Sequence, residues 1–96
     1  MYRILIADDE GIVRDSLQFI IEKNFGEECQ TAIARNGRQA IETAESFRPD
    51  IVLLDIQMPG LNGLKAMEEI RAQNPKVKAL ILTAYDNFDY AKEALR

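Results

Sequence analysis

The feature that most constrains this chain is a repeated pairing. A short apolar run stops at acidic or hydroxyl residues, and a longer segment with apolar residues at helical spacing follows. Tyr2–Ala7 is the first such run and ends at Asp8-Asp9-Glu10. Its short, largely apolar and β-branched character predicts a central strand buried on both faces. Over residues 10–25, Ile12, Val13, Leu17, Ile20 and Ile21 recur at helical spacing, and Gly26 is a helix stop. Cys29–Ala34 reads as a second, less apolar strand suited to a sheet edge. Asn36-Gly37 signals a turn, and residues 38–47 place Ile41, Ala44 and Phe47 on one helical face. Pro49 ends that helix, because proline disfavours helical geometry in the residue before it.

The pattern then repeats. Residues 51–54 form a third apolar run ending at Asp55, and the loop over residues 58–63 is dense in turn residues. Leu64, Met67 and Ile70 mark a third helix running to about Gln73, broken by Asn74-Pro75. Residues 79–82 are a fourth strand ending at Thr83-Ala84, and Asn87 caps a fourth helix. The order βαβαβαβα implies an α/β fold: a doubly wound parallel sheet with helices on both faces.

Composition narrows the chemistry. Ninety-six residues suffice for one small domain. The net charge is −4, which argues against a nucleic-acid-binding face within these residues. With no histidine, Ser-His and Cys-His catalysis and most zinc sites are excluded. Cys29 is the single cysteine, so no disulfide forms within the chain, and it reads as a small buried strand residue. No apolar run approaches the ~20 residues of a membrane span. The chain enters a strand-like run at once, so no signal peptide is expected. The expectation is a cytoplasmic protein with no membrane partner.

In open parallel sheets, ligands bind outside the carboxyl ends of the strands. Asp8-Asp9-Glu10, Asp55 and Thr83 each follow a different strand and would share that rim. Each has a plain structural explanation alone. Acids suit a helix N-terminus, Asp55 can cap the loop after it, and Thr83 can be an ordinary strand-end residue. Together they suggest chemistry. Clustered carboxylates resist joint ionisation unless a cation joins them. Mg²⁺ is the natural candidate, since it takes oxygen ligands and commonly a phosphate oxygen. An aspartate beside it is a nucleophile toward phosphorus, and the Thr83 hydroxyl can donate to a phosphate oxygen.

At this point the sequence resembles the receiver domain of two-component response regulators. The motifs are residues 4–10 (Ile-Leu-Ile-Ala-Asp-Asp-Glu), residues 50–63 around Asp55, and residues 80–84 (Leu-Ile-Leu-Thr-Ala). The resemblance covers essentially the whole chain. It implies a flavodoxin-like fold with strand order 2-1-3-4-5. It also implies that Asp8 and Asp9 hold Mg²⁺ and that Asp55 is the phosphoacceptor. The backbone carbonyl of Gln57 would complete the metal shell. Thr83 would be the switch hydroxyl, and Ala84 the small residue that leaves room for the phosphoryl group.

The implied partners are a sensor histidine kinase and, in the parent protein, a C-terminal effector domain. The stretch over residues 83–91 is similar to receivers that precede DNA-binding domains of the AraC type, so transcription regulation is the expected output. One departure concerns the fifth βα unit, with its lysine-proline pair and switch aromatic. Neither Lys78 nor Lys92 sits where that lysine belongs. The expectation is a receiver domain over residues 1–96, incomplete at its C-terminal end, with strand order 2-1-3-4. An unpaired fourth strand would then be an apolar edge, which predicts self-association through the fourth strand and fourth helix.

Two other functions compete. A Mg²⁺-dependent aspartyl-phosphate phosphatase would place a second acid two residues after its nucleophile, and Gln57 stands there. An interaction fragment without phosphate chemistry is the other alternative, expected if the lysine and fifth strand are missing.

Overall fold

The computed structural model describes residues 1–56, 58, 60 and 62–82. Over these residues the elements run β1 (Tyr2–Ala7), α1 (Gly11–Phe25), β2 (Cys29–Ala34), α2 (Gly37–Phe47), β3 (Ile51–Asp55), α3 (Gly63–Gln73) and β4 (Lys78–Leu82). The fourth helix expected from Asn87 onward lies outside the described residues.

The four strands form one parallel sheet in the order β2-β1-β3-β4. This is the expected order, and its crossover places β1 and β3 side by side. β1 is the interior strand that its apolar run predicted, with Leu5, Ile6 and Ala7 fully buried. Successive residues of a strand face opposite sides, and two cores result. Leu5, Ala7, Val52 and Leu54 pack with Ala40 and Ala44 of α2 and Met67 and Ile70 of α3. On the other face, Ile4 and Ile6 pack with Ile21 and Leu17 of α1.

α1 departs from its expected apolar stripe. Ile12 is 76% exposed and Ile20 is 52% exposed. The buried stripe is narrow: Leu17 and Ile21 pack against the sheet, and at 100° per residue Ile12 and Ile20 fall outside it. Gly26 caps α1 in right-handed geometry (φ −57°), so this helix stops without a left-handed residue. Cys29 is half-buried rather than buried, because β2 lies at the sheet edge.

α2 begins one residue earlier than expected, with Asn36 as its cap. The Asn36 Oδ1 accepts from the Gln39 N–H at 2.8 Å, while the Gln39 Oε1 accepts from the Arg35 N–H at 2.6 Å. The first bond satisfies a donor that the helix start leaves unpaired, and the second ties the residue before the cap to the first turn. α2 ends at Arg48, whose φ of 56° is left-handed. Pro49 accounts for the break, since the residue before proline is pushed out of helical geometry.

The amino end of the sheet is tied by Arg3 and Asp50. The Asp50 carboxylate accepts from the Arg3 N–H at 2.8 Å, and the Asp50 N–H donates to the Arg3 carbonyl at 2.8 Å. The Arg3 guanidinium donates to the Phe47 carbonyl at 2.9 Å and lies 5.7 Å from the Phe47 ring centre. A cation there suits the negative end of α2.

Candidate functional site

Register assembles the site. β1 and β3 pair in parallel, with Ala7 opposite Leu54. Asp8 and Asp55 each follow that pair by one residue, so both leave the sheet at the same rim. Asp9 is the next residue along the chain. One carboxylate oxygen from each of Asp8, Asp9 and Asp55 lies within 4.8 Å of the others. Asp8 is buried (4% exposed), Asp55 is half-buried and Asp9 is exposed.

The loop after β1 is closely held. The Asp8 N–H extends the β1–β2 ladder by donating to the Ala34 carbonyl at 3.1 Å. The Asp8 Oδ1 accepts from the Glu10 N–H at 2.9 Å, closing a turn onto the cap of α1. Burial raises the pKa of Asp8 above its ordinary value, and neighbouring Asp9 raises it further. The Glu10 N–H and the Arg14 guanidinium act in the opposite sense.

The loop after β3 is anchored at three points. Ile56 and Met58 are buried, at 2% and 6% exposure. Gly60 turns the chain at φ 80°, a left-handed conformation that favours glycine. The Gly63 N–H donates to the Ile56 carbonyl at 2.8 Å. A Cβ on Gly63 would run into the Asp55 carbonyl oxygen and sit 2.8 Å from the Ile56 Cα. α3 thus begins directly against the end of β3, with Asn62 as its cap through the Lys65 N–H at 2.9 Å.

The donor set fits a hard divalent cation. All three groups are carboxylates, and one is buried beside a second acid, where ionisation is unfavourable without a counter-charge. Oxygens sharing one Mg²⁺ at about 2.0–2.1 Å lie at most about 4.2 Å apart. Adjacent ligands of an octahedral ion sit closer still, at about 2.9 Å, and one oxygen of each acid lies within 4.8 Å of the others.

The three expected acids are therefore brought together. Gln57, Thr83 and Ala84 lie outside the described residues. Sequence reasoning missed two contributors. One is Arg14, which donates from Nη1 to the Asp8 carbonyl at 2.8 Å. The other is the close approach of Gly63 to Asp55, which the sequence signalled only as a turn glycine.

Comparison with known proteins agrees with this geometry. The chain is 38% identical over 96 residues to the uncharacterized transcriptional regulatory protein YesN of Bacillus subtilis, covering all of this chain and 26% of that protein. It is 42% identical over 96 residues to the transcriptional regulatory protein LnrK of the same organism, covering 99% of this chain and 43% of that protein. The chain thus spans less than half the length of these relatives. The REC domain of AraT, a response regulator from Geobacillus stearothermophilus, superposes with a TM-score of 0.87 at 36% identity. That match covers 99% of this chain and 74% of the other. Residues 4–96 match the response regulator receiver domain family. With the flavodoxin-like sheet and the acidic rim, these matches establish that the chain belongs to the response regulator receiver domain family.

Proposed function

We propose that this receiver domain works as a phosphoacceptor switch in which Asp55 takes a phosphoryl group from a histidine kinase. The observation that carries this reading is the convergence of Asp8, Asp9 and Asp55 at the carboxyl ends of β1 and β3. A carboxylate oxygen of Asp55 bonds to phosphorus as the bond between phosphorus and the donor histidine nitrogen breaks. Asp8 and Asp9, with Asp55 and the Gln57 carbonyl, would hold Mg²⁺. The ion, when bound, offsets negative charge on the transferring oxygens. The tied loop over residues 8–10 and the anchored start of α3 hold the acids in place, so little reorganisation is needed at transfer.

Thr83 is the switch hydroxyl in this reading, donating to a phosphate oxygen, and Ala84 leaves room for that group. The output is transcription regulation by a C-terminal effector domain, in line with relatives that are transcriptional regulatory proteins. A cytoplasmic setting suits a kinase partner. No helix among the described residues is long and apolar enough to cross a membrane. The domain acts as substrate and switch, with slow self-dephosphorylation as its own chemistry. Copies of the chain associate through the fourth strand and helix. This last element is supported by Leu80, which is 56% exposed on β4 at the edge of the described sheet.

Incubation with acetyl phosphate tests the function. Uptake of one phosphoryl group that requires Mg²⁺ is expected. No uptake with any divalent cation, or turnover of phosphomonoesters, would contradict it.

A further inference from the structure

Arg14 stands in the first turns of α1, and its guanidinium reaches back to the acidic loop. Nη1 donates to the Asp8 backbone carbonyl at 2.8 Å. The side chain is half-buried, and its Nε is buried with no hydrogen-bond partner among the described residues. A buried donor is costly to leave unmade, so this is not the resting place of a solvated surface arginine. The start of the helix leaves room for it. A Cβ on Gly11 would lie 3.3 Å from Arg14 Nη2, tighter than ordinary contact.

The contact matters because of which atom is held. The peptide unit is planar, so a hydrogen bond to the Asp8 carbonyl orients the whole Asp8–Asp9 peptide. The Asp8 N–H and Oδ1 are tied to Ala34 and Glu10. These bonds set the strand side of Asp8 and its carboxylate. Neither reaches the carbonyl, whose plane decides how the chain leaves toward Asp9.

We propose that Arg14 is a positioning residue of the metal site, fixing the Asp8–Asp9 peptide plane and thereby the direction from which Asp9 meets Asp8 and Asp55. The proposal rests on the functional reading above, since it presumes that the three acids take a cation. Partners that orient metal ligands commonly affect affinity by about 10–100-fold. Arg14 also brings a positive charge near the site, and charge alone would oppose cation binding. Positioning and charge therefore predict opposite signs.

Titration of the protein with Mg²⁺ alone, followed by the amide NMR shifts of residues 8–10, separates them. The thermal midpoint in EDTA is measured alongside. Arg14→Ala is expected to bind Mg²⁺ about 10-fold more weakly than the parent, although a repelling charge has been removed. Arg14→Lys keeps the charge but offers a shorter, single donor centre, and is expected to fall between the two. Affinity in Arg14→Ala equal to or tighter than the parent overturns the proposal, whatever happens to the midpoint. If Arg14→Ala does not fold, Arg14→Lys decides: weaker binding than the parent supports positioning, and equal binding overturns it. A parent that binds no Mg²⁺ overturns the functional reading itself, and this inference with it.

Discussion

Gly63 lies so close to Asp55 that any side chain at 63 would run into the Asp55 carbonyl oxygen. The obstacle is backbone on both Asp55 and Ile56, so it cannot swing aside as a flexible side chain would. Gly63→Ala must shift either the start of α3 or the end of β3. The expected cost is about 1–3 kcal/mol, the usual range for overpacking, read from urea denaturation. Because the strand end carries Asp55, phosphoryl uptake should fall as well. A variant as stable and as reactive as the parent would show that the two backbones are not in contact.

Asp8 makes stability depend on pH. Burial, then Asp9, raise its pKa in the folded chain above the ordinary 3.8, against the Glu10 N–H and Arg14. The folded state therefore holds this proton more tightly than the unfolded state. The resulting stability is fully present below about pH 3.8 and is lost as pH rises through the raised value. Asn at this position mimics the protonated acid. In EDTA at pH 7, Asp8→Asn should unfold at a higher temperature than the parent, with the difference shrinking toward low pH. Added Mg²⁺ should stabilise the parent more than the variant. A lower midpoint for Asp8→Asn in EDTA at pH 7 would show that the ionised Asp8 is not a burden on the fold.

Thr83→Val keeps shape and deletes the hydroxyl. Mg²⁺ binding should survive this change. The response to beryllofluoride, followed by amide NMR shifts, should shrink toward that of the unliganded protein. Equal responses in parent and variant would remove Thr83 from the switch.

Leu80 provides a test of association. Sedimentation of the protein at several concentrations should show mass increasing with concentration. Leu80→Lys should reduce that increase, since lysine on an edge strand discourages edge pairing. A well-folded parent that stays monomeric at high concentration would falsify the association.

The sequence displayed the fold because strand ends, helix stops and apolar runs are local signals, and three of the four strand ends carried acids or a hydroxyl. Asp8, Asp9 and Asp55 were legible for that reason, once β1 and β3 were neighbours. Arg14 was not. A long side chain on the first turns of a helix looks like any solvated cation, and its reach to the Asp8 carbonyl depends on rotamer and packing. Gly63 read as a turn residue because its closeness to Asp55 is a tertiary fact. Ile12 and Ile20 misled in the other direction. Apolar residues at near-helical spacing marked the helix correctly but overstated how wide its buried face is.

Asp55 as the phosphoacceptor of a Mg²⁺-dependent site can be read from mass alone. The direct measurement is the intact mass of the parent, Asp55→Ala and Asp9→Asn after incubation with acetyl phosphate, in Mg²⁺ and in EDTA. The parent should gain one phosphoryl group in Mg²⁺ only. Asp9→Asn should need at least about 10-fold more Mg²⁺ for the same gain, and Asp55→Ala should gain nothing. An Asp55→Ala protein that labels as well as the parent would contradict the assignment.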